Sequence, residues 1–264
     1  LEALQSLSSN KMRSGLTILG IVIGVAAVIA MLAIGRGAQD SISNSIESIG
    51  TNVLYINSGN RQNNIRNPKP LTLSDVSAMS DLSKAPSISY VAAVIQGRGD
   101  VSYSGANTNT SIVGVTPEYA IVRNMKVAEG VLIANSDLTN RAAVAVLGTD
   151  VANALFGRTK NLTGEMIRVM GQPFRVIGVL ESKGGSGFGS QDDQILVPFT
   201  TAQSRLLHRP SRERVDSIMV QVKDVNSVSK AIQEITGILD TTHHNAAGKE
   251  DFTIINQQDI LSTA

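Results

Sequence analysis

An α+β fold is predicted, in which one N-terminal transmembrane helix and a stalk precede a discontinuous β-α-β domain that a mainly β subdomain interrupts. Three observations predict it. Leu16 to Ile34 runs nineteen residues without a charge, with Thr17 its only polar side chain. Strand-helix-strand patterns recur at both ends of the remaining chain, and the stretch between them consists of short apolar runs separated by glycine-rich turns.

The apolar run comes first. At 1.5 Å per residue such a helix covers about 28 Å, close to the roughly 30 Å of bilayer hydrocarbon. Lys11 and Arg13 precede it and Arg36 stands alone behind it, near Asp40. The positive-inside tendency therefore places residues 1–15 in the cytoplasm and the long segment from Gln39 onward outside. A cleaved signal peptide is the competing reading, with Ala33-Ile34-Gly35 as a weak cleavage site, but signal cores run only about 7 to 15 residues. Both readings export the rest.

Composition narrows the function. There is no cysteine among 264 residues, which excludes disulfide staples and thiolate metal sites. The net charge is +1, and Glu2, Lys11, Arg13 and Arg36 place +2 of it in the first 36 residues. Nucleic acid is not an expected partner, because basic clusters are missing and the aromatic residues are five Phe, four Tyr and no Trp.

Beyond the span (residues 16–36), Ile42, Ile46 and Ile49 repeat at helical spacing before Gly50, so a stalk of about four turns is predicted over 37–50. Asn52 to Asn57 reads as a strand, Ser58 to Lys69 as an exposed loop. Thr72 and Asp75 stand at capping-box spacing before a helix with Val76, Met79 and Leu82 on one face, and Ile88 to Val94 is the next strand. The pattern returns late in the chain. Ile218, Val220 and Val222 alternate in a strand over 217–223, a helix from Ser227 carries Val228, Ala231, Ile232, Ile235 and Leu239, and Phe252 to Ile255 is again a strand. Two β-α-β units side by side in one sheet, as in ferredoxin-like domains, bury the apolar faces that either alone would expose. The predicted domain therefore comprises 51–115 and 206–264.

The insertion, 116–205, has a different texture. Ala142 to Leu147 is an apolar strand, Thr149 caps a short helix through Phe156, and Glu165 to Met170 pairs with Phe174 to Leu180 across Gly171-Gln172. Ile195 to Pro198 leads into a helix from Thr200.

Catalytic and metal constellations are not found. His208 is isolated, and the adjacent His243 and His244 diverge in either helix or strand, so they read as a polar loop and no metal or cofactor is assigned. Gly184 to Gly189 lacks the Lys-Ser or Lys-Thr ending of a phosphate loop and is followed by Gln191, Asp192 and Asp193, which reads as a hairpin tip. No complete G-x-x-x-x-G-K-[ST] or G-x-S-x-G occurs, so no enzyme activity is assigned and any ATP must be bound by another polypeptide or another part of a longer one. Gly20 and Gly24 form one small-xxx-small pair for helix packing. No ionisable residue lies within the span, whereas ion-coupled carriers use such residues.

Ser9-Asn10-Lys11-Met12-Arg13-Ser14, the run Leu16 to Met31, then Ile34-Gly35-Arg36-Gly37-Ala38 and Gly50-Thr51-Asn52 together resemble the start of MacB-type ABC transporter permeases of the FtsX-like class. Ile112-Val113-Gly114-Val115-Thr116 and Phe174-Arg175-Val176-Ile177-Gly178-Val179 are similar to the periplasmic core domain of that family. The resemblance implies a porter-like α/β domain interrupted by a mainly β part, placed between the first and second of four spans. Mechanotransmission is the implied mechanism. Cytoplasmic ATPase subunits would work the outside domains of a permease homodimer in the cell (inner) membrane. Asn10, Lys11 and Arg13 would lie on a cytoplasmic amphipathic segment near the ATPase, and Ile42, Ile46 and Ile49 on the stalk. A membrane-fusion adaptor and an outer-membrane channel stay open as further partners. Spans two to four do not follow in this chain; Asp259-Ile260-Leu261 reads as the start of a further helix, so a fragment is expected. A single-span anchored binding or sensor protein is the alternative, and an exported enzyme would need a convergent titratable set that is not recognisable here.

Overall fold

The computed structural model describes residues 11–47, 52–59, 68–184, 190–246 and 248–256. Two compact units divide between Ser45 and Ile46.

The first unit is helical. Helix α1, Lys11–Glu47, contains no proline and no charge between Arg13 and Arg36, and it encloses the predicted span and the part of the predicted stalk up to Glu47. An apolar helix bonds every interior N–H to its own carbonyls, the arrangement a bilayer core demands.

In the second unit, β1 (Val53–Ser58) leads to α2 (Leu73–Met79) and then to β2 (Ile88–Tyr103). The capping box forms as the sequence predicts. The Thr72 side chain accepts from the Asp75 N–H and the Asp75 carboxylate from the Thr72 N–H. Leu82 departs from the prediction: it lies beyond the helix end and is 63% exposed, because the helix stops at Met79. Near the other end, β9 (Ser217–Val222), α7 (Val228–His243) and β10 (Phe252–Asn256) repeat the unit. The two units interleave in the order β10-β1-β9-β2, with β9 antiparallel to both β1 and β2 and β10 antiparallel to β1. Ile218, Val220 and Val222 of β9 all face the core that also holds Ala231, Ile235 and Leu239 of α7, while Met219 points into a second cluster with Tyr119 and Val122.

Strand β2 does not stop at Val94, as the sequence reading has it. It continues to Tyr103, turns through Ser104-Gly105 at φ 46° and 91°, and returns as β3 (Ala106–Val115). Positive φ at both turn residues matches the right-handed twist of the strands. The segment expected as an insertion continues this sheet. It contains α3 (Glu118–Val122), β4 (Val127–Gly130), α4 (Asn135–Thr139), β5 (Val144–Leu147), α5 (Thr149–Phe156), β6 (Met166–Val169), β7 (Gln172–Leu180) and β8 (Gln194–Pro198). Pairing runs β2-β3-β8-β5-β7, and β6 joins β7 back to β2 at Val101 and Ser102, so six strands close a ring around Phe174, Ile167 and Ile112.

Three local predictions are corrected. The β6–β7 turn is Met170-Gly171 at φ 48° and 80°, with Val169 opposite Gln172, rather than Gly171-Gln172. Gly148, not Thr149, occupies the N-cap of α5, with no side-chain cap bond. The helix expected from Thr200 begins at Phe199 as α6 (Phe199–Thr201) and widens into a π turn, Ala202–Leu206.

Gly114 and Gly178 occupy tight crossings of this ring. A Cβ on Gly114 would lie 2.4 Å from the Ala202 Cβ, and one on Gly178 would lie 2.6 Å from the Val131 carbonyl oxygen. The second neighbour is backbone and cannot rotate away. Gly178→Ala is therefore expected to cost about 2 to 3 kcal/mol, the upper range for overpacking, read as a lower urea midpoint in detergent-held protein. An unchanged midpoint would mean that β4 and β7 do not cross there.

Candidate functional site

Two regions carry the features a function can use, and each lies within one unit. In the first, α1 presents Gly15–Gly37 with mean hydropathy 2.8 and its apolar side chains exposed. Its 23 residues cover about 34 Å, enough to cross a bilayer with some tilt. Gly20 and Gly24 lie on this helix, and a Cβ on either meets nothing within 4 Å. Lys11 and Arg13 fall in its first turns and Ile42 and Ile46 near its end. Asn10 and Ile49 lie outside the described residues.

In the second unit the sequence reading of His243 is overturned. His243 is the last residue of α7, 4% exposed, and each ring nitrogen meets a carboxylate. Nδ1 is 2.8 Å from Asp251 Oδ1 and Nε2 is 3.3 Å from Asp75 Oδ2. Asp75 and Asp251 are buried too. Asp251 also accepts from the Asn245 amide at 2.9 Å and the Lys69 N–H at 2.9 Å, and the Lys69 ammonium donates to the His243 carbonyl. The cluster thus joins the N-terminus of α2, the C-terminus of α7, the start of β10 and the chain before β-bridge residue Thr72. The signal for it was the spacing Ala231, Ile235, Leu239, His243, which carries the buried stripe one step further. His244 caps the helix at φ 55° with its side chain exposed, so the two rings do diverge.

Because the two carboxylates approach opposite sides of the ring, no single point is reached by all three groups. This geometry makes the cluster a tie between elements rather than a metal cradle. Burial pushes the Asp251 carboxyl upward, but the bonds from Asn245, His243 and Lys69 outweigh it and hold the group below the ordinary carboxylate range.

A third buried carboxylate settles the glycine-rich run where the chain is described. Asp192 accepts from Ser182 Oγ at 2.5 Å and from the N–H groups of Lys183 and Gly184 at 2.9 and 3.0 Å. Those two donors are therefore occupied by the protein's own anion instead of being free for a phosphate. Residues 185–189, the expected hairpin tip, lie outside the described residues. His208 is exposed.

A family model described as the MacB-like periplasmic core domain matches residues 14–238. The chain belongs to that family. Among its relatives are the macrolide export ATP-binding/permease protein MacB of Bdellovibrio bacteriovorus, 37% identical over 98% of this chain, and the pyoverdine export ATP-binding/permease protein PvdT of Pseudomonas syringae pv. syringae, 35% identical over 94%. The chain spans 40% and 36% of the length of these two relatives. The periplasmic region of MacB from Actinobacillus actinomycetemcomitans superposes with a TM-score of 0.65 at 28% identity, covering 83% of this chain and 94% of that one. The extracellular domain of the noncanonic ABC-type transporter YknZ shares the fold, at TM-score 0.63 and 19% identity over 78% of this chain and 100% of that one. MacB-like periplasmic core domains and one apolar N-terminal helix together describe a membrane-anchored protein with an extracytoplasmic domain.

The tie predicts an acid-side weakness. With its pKa lowered by the fold, Asp251 contributes stability that is present above the carboxylate range of the unfolded chain and lost as pH falls through the lower folded value. Asp251→Asn is expected to flatten the acid limb of a stability-versus-pH curve and to cost about 3 kcal/mol near neutrality, because it leaves buried partners unmatched. An acid limb identical to that of the parent protein would show that the tie carries no weight.

Proposed function

We propose that the chain is the first span and extracytoplasmic domain of the permease of an ABC-type exporter, seated in the inner membrane with its N-terminus in the cytoplasm. ATP is bound by a cytoplasmic ATPase, fused or separate, and its motion is passed along α1 to the porter-like β-α-β domain, which moves substrate outside the membrane. The observation that carries this reading is the pairing of an exposed apolar helix segment of 23 residues, charged only at Arg36, with a domain of the MacB-like periplasmic core family. The relatives' names, macrolide and pyoverdine export, make a small organic solute the cargo class to test first.

In this reading Asn10, Lys11 and Arg13 meet the ATPase, Gly20 and Gly24 let a neighbouring helix approach within the homodimer, and Ile42, Ile46 and Ile49 form the stalk. An adaptor and an outer-membrane channel complete the route where the envelope contains them.

The test uses the whole transporter in proteoliposomes. Replacing Lys11 and Arg13 with Glu reverses the charge facing the ATPase, and export is expected to fall at least about tenfold while ATP hydrolysis continues, an uncoupling of more than 1.4 kcal/mol. Gly20→Leu with Gly24→Leu separates packed helices and is expected to lower export and the dimer fraction together. Export unchanged in both variants would remove α1 from the transmission path.

A further inference from the structure

Strand β2 has an empty lane beside its first residues. β3 accompanies it from Tyr103 back to Val94, and Thr116 takes one more step, its Oγ1 accepting from the Ala93 N–H at 3.3 Å and its N–H donating to the Ala93 carbonyl at 3.4 Å. There the chain turns away into α3. Residues 88–92 of β2 pair with β9 alone among the described residues. Strand groups alternate between edges: the Val94 carbonyl accepts from Asp216 on the β9 side, Ala93 faces Thr116, and Val91 faces the same side as Ala93. The N–H and C=O of Val91 therefore point into the lane that β3 leaves.

A groove of about 280 Å³ occupies that lane. Val76, Met79 and Leu82 form one wall, with Tyr90 and Glu118 at the rim. Leu82 and Tyr90 are 63% and 43% exposed. Among the described residues the Glu118 carboxylate has no hydrogen-bond or ion-pair partner.

We propose that this lane binds an extended, basic segment of a partner polypeptide by β-strand addition. A peptide amide pairs with Val91, itself 5% exposed, its lysine or arginine meets Glu118, and its apolar side chains lie against Leu82 and Tyr90. Main-chain bonds supply affinity and the carboxylate selects the sign of charge. The proposal stands independently of the exporter reading.

The test uses the full chain in lipid nanodiscs and an acetylated, amidated peptide alternating valine and lysine. Hydrogen exchange at the Val91 amide is expected to slow when the peptide is added, and Glu118→Gln to weaken binding about fivefold, as does Leu82→Ser. Both altered side chains are partly or largely exposed, so the fold is retained. The same peptide with glutamate in place of lysine should not bind. Equal binding of the glutamate peptide, or no slowing at Val91, overturns the proposal. So does Glu118-dependent binding of dodecyltrimethylammonium that matches the lysine peptide without protecting Val91, which would make the groove a small-cation site.

Discussion

Strand β2 runs sixteen residues, and no single neighbour is long enough to pair with all of them. Its first half is paired by β9 and its second by β3, with β6 meeting it at Val101 and Ser102. The interleaved β-α-β strands and the six-stranded ring are therefore two consequences of one strand. Were β2 to end at Val94, the sheet would lose the segment on which β6 closes, and Phe174 would have an open side. The ring also explains why residues 46–264 form one compact unit even though residues 116–205 differ in texture from what flanks them.

Interleaving brings a second requirement. α2 follows β1 and α7 follows β9, so the C-terminus of α7 arrives beside the N-terminus of α2. A buried helix end needs partners for its free groups, and the Asp75 carboxylate serves twice, once to the Thr72 N–H and Oγ1 at 2.8 Å and once to His243. His243 passes the connection to Asp251 at the head of β10. Breaking either contact leaves a buried imidazole nitrogen without its partner, although Asp75 keeps Thr72 and Asp251 keeps Asn245 and Lys69. The register of the outer strand β10 thus rests on a polar contact as much as on Phe252.

Local pattern made the long apolar helix, the strand-helix-strand order near both ends of the second unit, the capping box at Thr72 and the stripe of α7 legible, since each is encoded by neighbouring residues. The outer half of the β2–β3 hairpin was not legible. Asn107, Thr108 and Asn109 are polar, and Gly97 and Gly99 resemble breaks, yet Gly97 lies within the strand, where a Cβ would lie 2.6 Å from Leu207 Cδ2 and that side chain would have to shift. The His243 contacts span 168 residues to Asp75, and no local rule encodes a pair formed by topology. His243 was read with its neighbour His244, when its physical companion was Leu239, four residues earlier. The turn at Met170-Gly171 was misplaced by one residue because Met at positive φ is unfavourable, and the strand register, not propensity, decided the matter.

The residues on which the family resemblance rests within the second unit have structural work at those positions. Gly114 lies where Ala202 packs on the sheet and Gly178 where β4 pairs with β7 and the Val131 carbonyl comes close, and Ile112, Phe174 and Val176 fill the ring. None of these side chains is placed to select a solute. These residues of the resemblance thus serve the architecture, and family membership carries that architecture to this chain without carrying a cargo. Discrimination between partners must come from exposed groups that packing leaves free. Beside β2 those are Glu118, Leu82 and Tyr90, at the edge where the sheet has a lane and no described strand pairs Val91, itself only 5% exposed.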